Sequence, residues 1–331
     1  MQVMQAIRIE KPGGPEVLSL SSVPVPEPRE GEVLLRVAAA GVNRPDVLQR
    51  LGKYPLPPGA SPLPGLEVSG EVAATGANAS RWKIGDRVMA LTHGGGYAEY
   101  CRVHESHCLP IPANLTFTMA AAVPETFFTV HYNLFMRTKL AARETLLVHG
   151  GSSGIGSTAI QLAKARDALV IATAGNDEKC RFCKDLGADH AINYRTGDWQ
   201  QEVARLTEDS GPGVDVVLDI VAGAYAQKNL EVLAMGGRYV IIGFLQGWKA
   251  ELDLRPVLAK RLTITGSLLR PQSTAEKGAI AASLEAEVLP LLETDAVKPI
   301  IHATFPLAKA AEAHALMESS RHMGKIVLAV S

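Results

Sequence analysis

The run Gly150-Gly151-Ser152-Ser153-Gly154-Ile155-Gly156 follows directly on the apolar residues Leu146, Leu147 and Val148 and on His149, and an amphipathic stretch comes after it. A strand that turns sharply into a helix presents the helix's first free N–H groups and the positive end of its dipole. Residues without side chains let a pyrophosphate approach that backbone. Gly151, Gly154 and Gly156 meet this need, with Ser152, Ser153 and Ile155 between them. The spacing departs from the plain G-x-G-x-x-G fingerprint, so the reading rests on the strand before the run and the helix after it. A glycine turn that binds nothing is the bland alternative.

The end of the next apolar run, Leu169 to Ala174, bears on which dinucleotide fits. An acidic residue there would hold a free ribose 2'-hydroxyl. The chain instead reads Thr173-Ala174-Gly175-Asn176, with no acid at the tip and Lys179 within reach of a 2'-phosphate. NADPH is therefore the expected cofactor. Asp177 and Glu178, just beyond, either cap the following helix or repel a phosphate.

These segments need a scaffold, and the chain has the length for one. At 331 residues it exceeds the size at which one core stops growing, so two packed domains are expected. Hydrophobic residues make up 47% and charged residues 20%, enough apolar surface for a globular fold. A net charge of -1 offers no basic field for nucleic acid and no polybasic stripe for a membrane surface. The start, Met1 to Glu10, lacks a signal-peptide core, and no run of about 18 apolar residues is present. With only four cysteines, these features point to a cytoplasmic protein without a disulfide scaffold. Neither Cys101 with Cys108 nor Cys180 with Cys183 makes a metal framework.

The first 120 or so residues carry short apolar runs broken by Pro and Gly: Val33 to Val42, Glu67 to Thr75, Asp86 to Leu91 and Tyr97 to Val103. This is a mostly β region. From Thr145 onward strand, turn and helix alternate, with strands expected at Thr145–His149, Ala168–Ala174, Ala191–Tyr194, Val214–Ile220, Arg238–Phe244 and Leu262–Leu268. Alternating β and α units imply a doubly wound parallel sheet. Helices are expected over Thr274–Leu292 and Lys309–Met317, before a closing strand at Lys325–Val330 that returns to the first domain.

With these residues in view, the chain resembles the medium-chain dehydrogenase/reductase superfamily, and within it the zinc-free, zeta-crystallin-like quinone oxidoreductases. The carriers are Ala38-Ala39-Ala40-Gly41-Val42-Asn43, Leu63-Pro64-Gly65-Leu66-Glu67-Val68-Ser69-Gly70, Gly85-Asp86-Arg87-Val88, the glycine loop, Ile192-Asn193-Tyr194 and Gly324-Lys325-Ile326-Val327-Leu328. The resemblance implies a GroES-like catalytic domain over 1–122 and 269–331, a Rossmann domain over 123–268 and an active site in the cleft between them. It also implies a homodimer, paired through the edge strand Leu262–Leu268. Its NADPH-using members hold the 2'-phosphate with a glycine, a lysine and a tyrosine, which map to Gly175, Lys179 and Tyr194.

Zinc enzymes of the superfamily place a cysteine ligand at Asn43 and a histidine ligand at Leu66. Catalytic zinc needs three protein ligands, and Glu67 alone cannot supply them. No metal is expected. Acceptors that are already electrophilic, such as quinones and enones, then become the natural substrates, with most of the rate coming from orientation. Asn43 is the first candidate beside the nicotinamide, donating to a developing oxyanion. Tyr54 could donate a hydrogen bond or a proton. Thr129, Gly243, Phe244, Ser267, Leu269 and Lys325 join the phosphate loop as expected cofactor contacts. His93, His131 and His149 read as structural histidines. Two alternatives stand beside the quinone reductase: an NADPH-dependent reductase of enones, enals or enoyl thioesters, and a non-catalytic NADPH-binding sensor or structural protein.

Overall fold

A computed structural model describes residues 2–209 and 211–330, and these form two compact units. One is Met1–Phe128 together with Leu269–Ser331, and the other is Thr129–Leu268. The outgoing crossing lies at Phe128 rather than at 122. The reason is the helix Pro124–His131, whose length the sequence reading did not anticipate, and which continues as a π-helical turn over Tyr132–Arg137.

The first unit is built on a seven-stranded sheet. Its order is Ile301–Pro306, Lys325–Ala329, Glu32–Val42, Glu67–Thr75, Arg87–Leu91 and Cys108–Pro110, with Tyr100–His104 also pairing to Glu32–Val42. All pairings are antiparallel except that of Ile301–Pro306 with Lys325–Ala329. Glu32–Val42 is buried over most of its length, as a central strand with both faces covered must be. Val37, Val42, Val68, Val88, Ile326 and Leu328 are among the side chains that fill this core. The closing strand matters most for the site. It pairs Ile326 with Val42 and Val327 with Gly41, which sets Lys325 beside Asn43, 282 positions away in sequence.

The second unit is a six-stranded parallel sheet in the order His190–Asn193, Leu169–Ala174, Thr145–His149, Val214–Asp219, Leu233–Ile241, Thr263–Gly266. Numbered within the unit, that is 3-2-1-4-5-6, the doubly wound order. The order in which successive strands are added reverses between Thr145–His149 and Val214–Asp219, which still pair in parallel, and this is the place where such sheets take a ligand beyond their carboxyl ends. Thr145–His149 is buried at every position. His149 is wholly buried and satisfied: Nδ1 meets Thr173 Oγ1 at 3.0 Å and Nε2 meets Asn229 Oδ1 at 2.8 Å. It is a structural histidine, and burial lowers its basicity. Asn229 continues the network to Asp219 at 3.0 Å, where Tyr239 also donates at 2.6 Å.

The long helix expected over Thr274–Leu292 is two helices, Thr274–Glu287 and Leu289–Glu293. Pro290 explains the break, since its ring and missing N–H suit only the first turn of a new helix. The hairpin of Val3–Ile9 with Leu18–Pro24 and the strand Ile301–Pro306 were not anticipated individually. Among the described residues, no helix is long and apolar enough to cross a membrane.

Candidate active site

In the first unit, Asn43 ends the central strand and precedes the helix Arg44–Arg50. Its backbone N–H donates to Asp46 Oδ2 at 2.9 Å, and Asp46 Oδ1 accepts from the Gly65 N–H at 3.0 Å. Asp46 thus ties the Asn43 corner to the turn that delivers Leu66 and Glu67. Burial pushes its carboxyl up to about 6, while the two backbone N–H groups hold it down. Tyr97 Oη also donates to Asp46, at 3.2 Å, and stands 3.2 Å from His314 Nε2, so the corner is anchored to the C-terminal helix Ala310–Ser319.

The Asn43 carboxamide is engaged at both ends. Nδ2 donates to Glu67 Oε1 at 2.8 Å, and Oδ1 accepts from the Lys325 ammonium. Lys325 also donates to Glu67 Oε1, in an ion pair whose side chains are 4% and 0% exposed. Gly41 is required here because a Cβ would overlap the Glu67 carboxylate. Glu67 Oε2 accepts from the Glu125 N–H at 2.8 Å. The ammonium of Lys325, expected among the cofactor contacts, is bonded within the chain to Asn43 and Glu67.

Three further groups surround this core electrostatically, and the sequence reading missed the roles of two of them. Glu125, half-buried at the start of the helix Pro124–His131, has its carboxyl pushed up to about 8, first by burial and then by the Glu67 carboxylate. Such a group keeps its proton at neutral pH. Arg270 is buried, with Nη1 donating to Gln49 Oε1 at 2.8 Å and the guanidinium 5.6 Å from the centre of the Tyr54 ring. Its Nε and Nη2 are buried with no hydrogen-bond partner among the described residues. Tyr54, the expected donor, has its phenol pushed up to about 12 by burial and by Glu125. No local motif announces Glu125 or Arg270, because they come from opposite ends of the unit's two chain segments.

The donor set does not suit zinc. Asn43 and Leu66 offer a carboxamide and an alkyl group, and Glu67 already holds an ammonium. Among the described residues, no group of three or more His, Cys, Asp or Glu side chains is placed to hold a metal ion.

In the second unit the glycine loop does fit a dinucleotide. Ser153 caps the helix Gly154–Lys164, its Oγ accepting from the Gly156 N–H at 3.0 Å. A Cβ on Gly156 would overlap the Gly150 carbonyl, and one on Gly151 would come within 2.7 Å of Ala172 and 2.8 Å of Cys183. Ser152 is buried, and Ile155 follows Gly154 in the helix's first turn. Beside the neighbouring strand, Tyr194 Oη stands 2.8 Å from where a Gly175 Cβ would be, so these two expected residues meet. Lys179 sits in the first turn of Asp177–Asp185, capped by Asn176 Oδ1 at 2.8 Å. Asn176, rather than either acid, thus caps this helix.

Thr129 and Ser267 are linked through Asn133, whose Nδ2 donates to the Thr129 carbonyl at 2.8 Å and whose Oδ1 accepts from Ser267 Oγ at 2.9 Å. Gly243 lies against the Ile220 backbone, with Phe244 half exposed beside it. Leu269 is buried and opens the first unit's second segment.

A doubly wound sheet whose first turn is a glycine-rich loop opening a helix is the arrangement of a dinucleotide-binding domain. Residues 29–113 match the alcohol dehydrogenase GroES-like domain family, and residues 154–290 match the zinc-binding dehydrogenase family. The chain is similar to a quinone oxidoreductase of Mus musculus, 35% identical over 99% of this chain and 98% of that protein. A mycobacterial protein solved in complex with NADPH superposes with a TM-score of 0.88 at 31% identity, covering 99% of this chain and 100% of the other. The CurK enoyl reductase does so at 0.87 and 28%, covering 99% of each chain. The chain belongs to the medium-chain dehydrogenase/reductase superfamily, in the group of the zeta-crystallin-like quinone oxidoreductases.

The buried pair makes a direct prediction. Removing one partner leaves an unpaired charge in the core, so Lys325→Met should cost about 3 to 5 kcal/mol. In thermal or urea unfolding, the double variant Lys325→Met/Glu67→Gln should recover part of that loss. Equal stability of Lys325→Met and the wild type would contradict the coupling.

Proposed function

We propose that the protein is an NADPH-dependent, zinc-independent oxidoreductase that reduces quinones or similarly conjugated carbonyl compounds. One observation carries the reading: Lys325 and Glu67 form a closed, buried hydrogen-bonded set with Asn43, the position where zinc-dependent relatives place a cysteine ligand. When bound, the dinucleotide supplies a hydride. The Gly150–Gly156 loop would hold its pyrophosphate, and Gly175, Lys179 and Tyr194 its 2'-phosphate. Thr129, Ser267, Gly243, Phe244 and Leu269 remain proposed contacts along the rest of the cofactor.

The chain's own groups then serve the acceptor. Asn43 has one Nδ2 N–H committed to Glu67, and its second is available to an acceptor oxygen. Because Lys325 and Glu67 lock that amide from behind, little reorganisation is needed when charge develops. Arg270 adds a fixed positive charge. Tyr54 offers a hydrogen bond from a phenol that holds its proton firmly, and Glu125 is a neutral acid able to give one up.

NADPH oxidation followed over 9,10-phenanthrenequinone, benzoquinones, 2-alkenals and crotonyl-CoA tests the substrate class. Turnover of quinones that survives dialysis against EDTA is expected. The likeness to an enoyl reductase favours the double-bond reductase as the second reading, and activity on the thioester alone would decide for it.

The raised carboxyl of Glu125 makes a pH prediction. The group is protonated below about 8, so kcat/KM for the quinone should fall as pH rises through that region. In Glu125→Gln the limb near pH 8 should vanish. Its persistence would assign the proton to another group.

A homodimer is proposed through the edge strand Thr263–Gly266, which among the described residues pairs on one side only. Leu258, Ile264 and Leu268 are 85%, 40% and 52% exposed there, an apolar edge of the kind that pairs with a second copy. Ile264→Lys/Leu258→Asp should halve the mass measured by light scattering. A wild-type monomer would refute the proposal.

A further inference from the structure

The first unit holds a cavity of about 980 Å³ whose walls include residues 57–63 and 93–95, Tyr100 and Lys277. Neither Asn43 nor Tyr54 lines it. Pro57, Pro58, Pro62 and Tyr100 make one part of the lining apolar, while Lys277 brings an ammonium to another. The two acids on the lining are already bonded: Glu32 Oε2 accepts from the Arg29 N–H at 2.9 Å, and Glu30 Oε1 accepts from Asn78 Nδ2 at 2.7 Å. With Arg8, Arg29 and Arg102 also present, the lining carries net positive charge.

Lys277 is 4% exposed, and burying an ammonium is costly unless a carboxylate pairs with it. Its partners are instead neutral. Nζ donates to the Arg270 carbonyl at 2.8 Å and to His93 Nδ1 at 3.4 Å. An ammonium has no lone pair, so Nδ1 accepts and the ring's proton lies on Nε2. Burial lowers the basicity of His93 and takes the neighbouring His107 down to about 4, so both rings are uncharged at neutral pH. Burial also lowers Lys277, to about 8, which leaves it charged there. The nearby carboxyls are otherwise occupied. Glu276, adjacent in sequence, accepts from the Ser273 N–H at 2.8 Å and from Ser273 Oγ at 2.7 Å, and Glu125 keeps its proton at neutral pH. Of the three N–H groups of the ammonium, one therefore has no partner among the described residues.

We propose that this cavity is a binding site for an organic carboxylate, whose oxygens accept from the third Lys277 N–H while its apolar body lies on the wall of Pro57, Pro58, Pro62 and Tyr100. A carboxylate supplies the negative charge that the buried ammonium lacks, through a charge-assisted hydrogen bond stronger than a neutral one. Cavities of this size bury most of a small organic molecule, with apolar walls and a few polar anchors that fix its orientation.

Calorimetric titration of the full chain with 2-naphthoate and with its uncharged counterpart 2-naphthamide tests this at neutral pH. The wild type should bind the carboxylate about 10- to 100-fold more tightly than the amide, the worth of one charge-assisted hydrogen bond. Lys277→Gln keeps a donor for the Arg270 carbonyl but carries no charge, so it should lose that preference while binding the amide as the wild type does. Lys277→Arg should retain part of the preference. Equal binding of the two probes by the wild type would overturn the proposal without recourse to any variant. A preference that survives in Lys277→Gln would assign the anion to another cation, and loss of both probes in that variant would show a residue serving the fold; either result refutes the site. Displacement of 2-naphthoate by inorganic phosphate at the same concentration would show that charge alone is read, and would overturn the assignment of an organic ligand. No arm uses NADPH or a quinone, so this proposal and the oxidoreductase reading fail separately.

Discussion

An ammonium and a carboxylate removed from water together cost several kcal/mol each, and only close, fully satisfied geometry recovers that cost. Lys325 and Glu67 meet this condition because each finds a second partner in the Asn43 carboxamide, and because Gly41 leaves room for the carboxylate. The pair can form only if the C-terminal strand lies against the strand that ends at Val42, in the one register that puts Ile326 opposite it. A slip of one residue would turn Lys325 to the other face and bury Glu67 unpaired. The register of the first unit's larger sheet is therefore tied to this pair, with strands from both chain segments in that sheet and the parallel sheet inserted between the segments in sequence.

The same demand shapes the chemistry available. An amide fixed from behind by a charged pair keeps its orientation without help from substrate, which is what an oxyanion donor requires. Around it, burial acts in a graded way. It raises the carboxyls of Asp46 and Glu125 to about 6 and about 8, and the Tyr54 phenol to about 12, so neighbouring acids differ in readiness to release a proton. In the second unit burial has another use. Thr145–His149, buried throughout, and the His149–Asn229–Asp219–Tyr239 network hold the strands on either side of the switch point. The glycine loop thereby rests on a rigid base.

Much of this was legible from residue type and spacing. Because alternating apolar runs and glycine turns are local signals, the strands of the parallel sheet fall within a few residues of their expected bounds, except that the one expected at Arg238–Phe244 starts five residues earlier, at Leu233. The glycine turn, with Gly151, Gly154 and Gly156, and the proposed phosphate contacts Gly175 and Lys179 lie within short segments, where residue type and spacing are local signals. The helix Pro124–His131 with its π-helical turn was harder to see, because it carries no clear apolar stripe. The break at Val288 shows how one proline overrides a long run of helix-forming residues.

Sequence alone determined the class of fold, the dinucleotide loop and the absence of zinc-type residues at Asn43 and Leu66, since each depends on which side chains occupy neighbouring positions. Tertiary structure decided which groups Lys325 bonds, that burial raises the Glu125 carboxyl and that Arg270 lies by Tyr54. Those facts depend on burial and on contacts between distant segments. A charge's neighbours in space set its protonation and its partner, and strand register, not sequence spacing, chooses those neighbours.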